Sequence, residues 1–408
     1  GFGFGVAGGY GQLNDLWEFD MNTNNWRWLT GINATDGLGI YGTLQTYSST
    51  NTPSSRRTFT GAIGNGTLYV FGGFGNSQSP GGGQLNDLWE YDPTINQWRW
   101  LKGQTNINNI GVYGNVGVAS ASSLPGSREQ TVINYINGSL YLFGGRGYNS
   151  IAGNVYESDL WSFDPATYNW TWLKGPSGKE YNGEYGTQGV ASATNKPGGR
   201  VAAASIGTND KFYLFGGNGL ASTAYGGNLN DLWELNPLSN NWTWLKGSKD
   251  GGYYGTYGTI GVPLSSNLPP GRQSLMLWNI GNKIYMFGGT NFDYFNDLWE
   301  YDLTTNNWTW LKGSNIVNQS GVYGIKGVSA ATNTPGARWL SSTFTYNNKI
   351  YLFGGDGYNS GSTRGQLNDL WEYDPATNDW TWLSGDDAIN SLGIHGTIAV
   401  PSATNIPG

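Results

Sequence analysis

Arg57, Arg128, Arg200, Arg272 and Arg338 each follow closely on a Pro-containing turn. A guanidinium is always charged and presents a planar fork of donors, so it grips carboxylates and phosphates through paired hydrogen bonds. Gathered around one opening, the five would make an anion site. They have other candidate partners, though. An Asp heads every Asp-Leu-Trp triplet, at Asp15, Asp87, Asp159, Asp231, Asp297 and Asp369. Glu18, Glu90, Glu234, Glu300 and Glu372 lie nearby in the sequence. Unpaired guanidiniums crowded together would also repel one another. Other reactive chemistry is scarce. The chain has no cysteine and one histidine, His395. That excludes a multi-His metal site and a cysteine nucleophile, and leaves a His-dependent triad only a Gly-rich loop to stand on. No metal or cofactor is expected. Residues that interrupt the repeating pattern are the better functional candidates: Trp278 and Trp339, whose indoles could stack a sugar or pack, and His395, Arg146, Asp356 and Arg364.

The pattern they interrupt is long. Asp-Leu-Trp recurs six times, at steps of 72, 72, 72, 66 and 72 residues. Paired glycines stand upstream (Gly8-Gly9, Gly72-Gly73, Gly144-Gly145, Gly216-Gly217, Gly288-Gly289 and Gly354-Gly355), and Trp-x-Trp-Leu stands downstream, as at Trp98 and Trp100. Each unit reads as four short strands, because β-branched and aromatic runs are bounded by Gly, Asn, Asp and Pro. "KIYLFGG", "NDLWEYDP" and "NDWTWLSG" are three of them in the last unit. Six radially repeated four-stranded units predict a six-bladed β-propeller spanning residues 1–408, with blades at about 1–30, 57–103, 128–175, 200–247, 272–313 and 338–385. "GFGFGVAGG" is expected in the place of strand two of the first blade, which then lacks strand one. The sixth first strand is expected beyond Gly408 or from another chain, the simpler option being that the chain continues.

Gly-Gly after strand two and Trp in strand four resemble the kelch superfamily, over essentially the whole length. The likeness is nearest to the long-loop kelch proteins of microbial cell-surface and secreted proteins. It implies an all-β fold of antiparallel blades. In kelch substrate-adaptor propellers, arginines at matching positions line a central pocket and bind acidic peptides; the resemblance therefore implies an Arg-lined mouth here. A kelch-type copper oxidase needs a Tyr–Cys crosslink and His ligands, and this composition rules it out. Within the blades, residues i and i+2 of a strand share a face, so each Trp-x-Trp sets two indoles toward a neighbouring blade. Structural packing is the expected role of these indoles.

The loops from strand four to the next strand one are long and repeat "GxYGxxGVxSATNxPG". They are expected to be ordered, with Gly-Val-Tyr-Gly folded onto the propeller rim. The formal charge of −7, without a basic run, argues against nucleic acid and against an anionic membrane surface. No stretch is apolar for long enough to insert in a bilayer. Residue 1 is Gly, and the expectation is a processed form or a piece of a longer chain. The leading function is a non-catalytic extracellular or cell-surface scaffold that binds a protein at the loop-rich rim, or assembles with itself through the missing strand. A glycan-binding rim comes second, and an enzyme acting on sugars or acidic substrates at an Arg-lined mouth comes third. Asn33 and Asn318 are the loop sequons open to glycosylation.

Overall fold

In the computed structural model, which describes residues 1–408 apart from 7, 152, 179, 209, 224 and 225, every regular element is a strand. Blade 3 shows the unit. Strands Val132–Ile136, Ser139–Phe143, Leu160–Asp164 and Asn169–Lys174 pair antiparallel in that order. Asn137 and Gly138, with φ of 49° and 86°, make the tight hairpin between the first two strands, a conformation that suits Asn-Gly and matches strand twist. Strand three is bulged between Leu160 and Trp161. All six blades carry this bulge inside Asp-Leu-Trp, from Leu16/Trp17 to Leu370/Trp371. A bulge re-aims side chains. Here it turns the Asp toward the blade's inner end while the Trp stays in the face.

The blades meet through aromatic packing. Phe71, Phe143, Phe215 and Phe287 of strand two each lie edge-on to the first Trp of the next blade's Trp-x-Trp (Trp170, Trp242, Trp308 and Trp380). Phe353 of the sixth blade meets Trp26 of the first with ring centroids 4.9 Å apart, which closes the ring at six. One apolar cluster joins Tyr69, Phe71 and Leu88 of blade 2 to Leu142, Trp161 and Trp170 of blade 3. The indole N–H of Trp26, Trp98, Trp170, Trp308 and Trp380 is buried without a hydrogen-bond partner. Those side chains are therefore packing groups. Each buries ~150–250 Å².

The long loops cover edges. Ser48, Ser120, Ser192, Leu264, Ala330 and Ser402 bridge to Trp98, Trp170, Trp242, Trp308, Trp380 and Trp26, the outer strands of the following blades. An uncovered outer strand would invite another chain to pair with it. The Asn of "SATN" clips the loop in place: Asn195 Nδ2 donates to the carbonyls of Val190 (2.9 Å) and Trp242 (3.0 Å). Asn51, Asn267, Asn333 and Asn405 repeat the clip.

The first blade departs from the sequence-based expectation. Residues 1–9 do not form its second strand. Phe2–Phe4 pairs with Tyr10–Gln12, in the register that Phe74 and Gly75 keep with Gln84 and Gly83 beyond Gly72-Gly73. The spatial counterpart of Gly73 is thus Gly1, not Gly9. Among the described residues the ladder partner of Leu16–Asp20 is Asn25–Thr30 alone, so this blade shows neither strand one nor strand two.

Candidate functional site

The arginine series is resolved by burial. Arg200 is buried, with Nη1 2.7 Å from Asp231 Oδ1 and Nη2 2.8 Å from Oδ2. Its Nε and Nη1 also reach the carbonyls of Gly198 and Gly216. Trp233 Nε1 (2.7 Å) and the hydroxyl of Tyr185 (2.6 Å), delivered by the preceding loop, donate to the same carboxylate. Burial, then the Asp231 charge, raises the Tyr185 hydroxyl well above its ordinary pKa, so it stays a donor. The box recurs as Arg56–Asp87–Trp89–Tyr41, Arg128–Asp159–Trp161–Tyr113, Arg272–Asp297–Trp299–Tyr257 and Arg338–Asp369–Trp371–Tyr323. Burial alone would raise the Asp87 carboxyl, but the Arg56 guanidinium outweighs it and holds it below the ordinary range. The paired glycines complete the interlock. Gly217 N donates to the Arg272 carbonyl of the next blade at 2.9 Å. A Cβ on Gly216 (φ 63°) would stand 2.7 Å from the same oxygen, so Gly is required there.

Two corrections follow. Arg128, Arg200, Arg272 and Arg338 line no mouth, because their guanidiniums are saturated inside the blades. Arg57 is not the fifth of the series; Arg56 is. Arg57 lies one residue on, half-buried, with its guanidinium 5.2 and 5.0 Å from the rings of Phe2 and Phe74.

That next position is where the blades differ. Each residue after the structural Arg pairs with a residue after Gly-Gly: Arg57 with Phe74, Glu129 with Arg146, Val201 with Asn218, Gln273 with Thr290, and Trp339 with Asp356. The pairs stand beside a backbone chain that links successive blades, Gln130 N to Thr58 O, Ala202 N to Gln130 O, Ser274 N to Ala202 O and Leu340 N to Ser274 O. They therefore form one ring at the loop-bearing end. Glu129 Oε1 takes Arg146 Nη2 at 2.9 Å and Gln84 Nε2 at 3.2 Å. Arg364 Nε reaches Asp356 at 2.7 Å, and its guanidinium lies 4.6 Å from the Tyr294 ring. Trp339 packs edge-on to Tyr294 at 6.1 Å, half-buried, with its Nε1 unpartnered. Thus Asp356, Arg364 and Trp339 come together around Tyr294, while Arg146 pairs with Glu129 in another blade of the ring.

The other indole does not join them. Trp278 is buried and donates to the Tyr351 carbonyl at 3.3 Å, so it offers no face to a sugar. Asn318 is likewise engaged: its Oδ1 accepts from Tyr294 N (2.9 Å) and its Nδ2 donates to Asp293 (2.8 Å). Its Oδ1 clamps the hairpin after Gly-Gly, as those of Asn108 and Asn390 do, and a glycan on its Nδ2 would crowd the contact with Asp293. Asn33 is exposed.

Two features were beyond sequence reasoning. The valines of the "GV" loop pairs, Val118, Val190, Val262 and Val328, and Val400 at the matching place after Ala399, are all exposed on the backbone-pinned loops. Glu157 stands where Leu85, Leu229, Phe295 and Leu367 fill the core of sister blades, and among the described residues neither of its carboxylate oxygens has a partner. Burial, then the nearby Asp159 charge, pushes it up to about 8. Its departure from Leu-Asn-Asp was visible, but its depth was not.

The clefts at this end are shallow and recur between blades. One of about 270 Å³ is lined by Lys312, Gln319 and Thr334, and its counterpart of about 350 Å³ by Lys174, Tyr181 and Lys196. Enclosed small-molecule sites run ~300–1,000 Å³ and are seldom repeated around a ring. Among the described residues no group of three or more His, Asp or Glu side chains could hold a metal ion, and no helix is long and apolar enough to cross a membrane.

Comparison with known proteins agrees with this geometry. Over 238 residues the chain is 30% identical to "Tip elongation aberrant protein 1" of Schizosaccharomyces pombe, covering 58% of this chain and 16% of that protein. It is 25% identical over 291 residues to human "Kelch domain-containing protein 10" (60% of this chain, 58% of the relative). It is 24% identical over 255 residues to mouse "Kelch domain-containing protein 3" (60% and 51%). The chain thus spans a small part of the yeast relative and a little over half of the animal ones. The family model described as the KLHDC2/KLHL20/DRC7 Kelch-repeats domain matches residues 49–196, 187–320 and 261–400. Together with the repeated blades and the Gly-Gly interlock, this shows that the chain belongs to the kelch-repeat β-propeller family.

Proposed function

We propose that the protein is a non-catalytic, extracellular or cell-surface propeller that binds a protein partner at its loop-bearing end. One observation carries the reading. The Arg–Asp–Trp–Tyr box is repeated five times with little change, while the side chains beside it, from Arg57 and Phe74 to Trp339 and Asp356, differ in every blade. A repeated scaffold that varies at one ring suits recognition, and mixed charge with aromatic side chains is the composition of protein interfaces. The saturated arginines withdraw the groups on which an enzyme of acidic substrates would depend. Location outside the cell draws on the 12% charge content and the Gly-rich, Asn-rich loops; protease shaving of intact source cells tests it, and full protection of the propeller would contradict it.

A photo-crosslinking residue at Arg57 or Trp339, compared with one at Ile95 in the turn at the opposite end of a blade, tests the binding surface. Protein adducts confined to the first two positions are expected. Equal adducts at Ile95, or none at any position, would contradict the reading. Tyr254 and Phe292 are almost fully exposed on loops, and they keep a glycan-binding rim as the second reading. A glycan array with Tyr254→Ala and Phe292→Ala as controls tests it, and an array without signal removes it.

A further inference from the structure

The clefts between blades share an outline, and one of them departs in its chemistry. In five blades the Asn before Asp-Leu-Trp staples the long loop to the strand end. Its Oδ1 accepts from the residue after the Gly that ends strand four: Ile32, Gln104, Ser248, Ser314 and Asp386. In blades 1, 2 and 4 its Nδ2 also donates to a Pro carbonyl of the returning loop. Blade 3 has neither half of the staple. Ser158 replaces the Asn, and Pro176, which has no N–H, replaces the donor. The Ser158 hydroxyl is buried, and among the described residues nothing pairs with it. Asn296 lines the cleft of about 270 Å³ after blade 5, whereas the counterpart after blade 3, where Ser158 stands, is about 350 Å³.

Charge enters the same loop. One bridge joins the two legs of each long loop, and five of the six are neutral: Ile40 with Thr52, Val112 with Leu124, Thr256 with Leu268, Val322 with Thr334 and Ile394 with Ile406. The sixth joins Glu184 to Lys196, and Lys196 Nζ stands 2.7 Å from Glu184 Oε1. Lys196 is largely covered, whereas Glu184 is more than half exposed, so the carboxylate is the member free to leave. Lys196 Nζ also lies 5.4 Å from the ring of Tyr181, which is 43% exposed. Lys174 lines the same cleft, with its Nζ 3.2 Å from the Asn240 carbonyl. Burial, then the Lys196 charge, lowers the Lys174 pKa. Two ammonium groups thus share one carboxylate.

We propose that the cleft between blades 3 and 4 is a subsite for an acidic sugar residue, whose carboxylate replaces that of Glu184 on Lys196, beside Lys174. Glu184 itself shows which functional group Lys196 accepts. The Tyr181 ring offers a face on which a pyranose can stack, and Thr194 supplies a hydroxyl at the cleft wall. An acidic peptide side chain would satisfy the lysines but leave Tyr181 uncovered. The volume stands near the lower limit of ligand sites, which suits one residue of a chain. Glu184 is then a built-in competitor, seated in the empty cleft and displaced by the ligand. The assignment is independent of the variable ring and of Tyr254 and Phe292.

Calorimetry of the protein with trigalacturonate, neutral trigalactose and a Glu-containing tripeptide tests it. Saturable one-to-one binding of trigalacturonate is expected, and none of trigalactose. Lys196→Thr should weaken the binding about tenfold or more, as loss of a charge-assisted contact should. Glu184→Thr should strengthen it several-fold by removing the competitor. Sister loops carry Thr at both places (Thr52 and Thr334, and Thr256), so both variants are expected to fold, and melting curves check this. Lys174→Met serves as the second variant if Lys196→Thr does not fold. No saturable binding of trigalacturonate by the protein or by Glu184→Thr would overturn the proposal. So would binding indifferent to both lysine substitutions, or equal binding of trigalactose. Equal binding of the tripeptide would overturn it in favour of a peptide carboxylate site.

Discussion

Blades 4 and 1 use the same words to different ends. In blade 4 Asp231 is gripped by Arg200, Trp233 and Tyr185, and all four side chains lie out of water or nearly so. In blade 1 Asp15 keeps the Trp, has His395 in place of the Tyr, and lacks the Arg. Burial would raise the Asp15 carboxyl, but hydrogen bonds from His395 and Trp17 hold it below its ordinary value. A motif is therefore not a role. Asp-Leu-Trp closes an ion-paired box where the Arg is present, whereas in blade 1 the same Asp is held by Trp17 and His395. The invariant part of the repeat closes each blade, which leaves variety free to gather at the adjoining ring.

The largest effect expected from that contrast is on the closed box. Arg200→Met strands the Asp231 carboxylate in a buried site and should cost about 3–5 kcal/mol, because removing one partner leaves an uncompensated charge. Asp15→Asn, measured by the same denaturant titration, should cost less, about 1–2 kcal/mol, since it weakens the hydrogen bonds from Trp17 and His395 but strands no arginine. Equal losses at the two sites would erase the distinction between the blades.

Blade 3 sharpens the comparison from inside the closed set. Glu157→Leu installs the side chain that most sister blades carry and should stabilise by about 1–3 kcal/mol, the cost of leaving a buried polar group unpaired. Its acidity adds a pH test. The folded-state pKa of about 8 lies above the ordinary 4.5, so the folded protein holds a proton that the unfolded chain releases. Stability should be fullest below about pH 4.5 and fall as pH rises through about 8. Glu157→Gln should flatten that slope, and a slope that survives the substitution belongs to another group.

Smaller effects come next. Tyr185→Phe removes one hydroxyl hydrogen bond to Asp231 and should cost about 1 kcal/mol by denaturant titration. His395→Tyr, which restores the sister residue without the sister Arg, should change stability by less than that. Arg364→Ala breaks a part-exposed pair with Asp356 and should cost well under about 1 kcal/mol, while altering any binding at the ring.

Much of this was legible in the sequence. The six units and their strands were readable because turn residues and alternating aromatics are local signals. The packing role of the indoles followed from strand parity at Trp98 and Trp100. Pairing at long range was not legible. Nothing near Asn195 announces the Trp242 carbonyl, and nothing near Tyr185 announces Asp231. The arginine series slipped by one because "SSRR" offers two candidates and lacks the Gly that follows Pro elsewhere; counting from Pro53, as Arg128 counts from Pro125, selects Arg56. The Gly-rich start misled for a related reason, since alternating Phe and Gly satisfy a strand pattern equally well in a short arm beyond the blade.

The claim that the first blade is open where its sisters are closed can be tested most directly by exchange of the indole N–H protons, followed by NMR on Trp-labelled protein. Trp17, Trp89, Trp161, Trp233, Trp299 and Trp371 each donate to the Asp two residues before them. Trp17 should exchange fastest of the six, by a wide margin. Protection of Trp17 equal to the other five in the free protein would contradict the account.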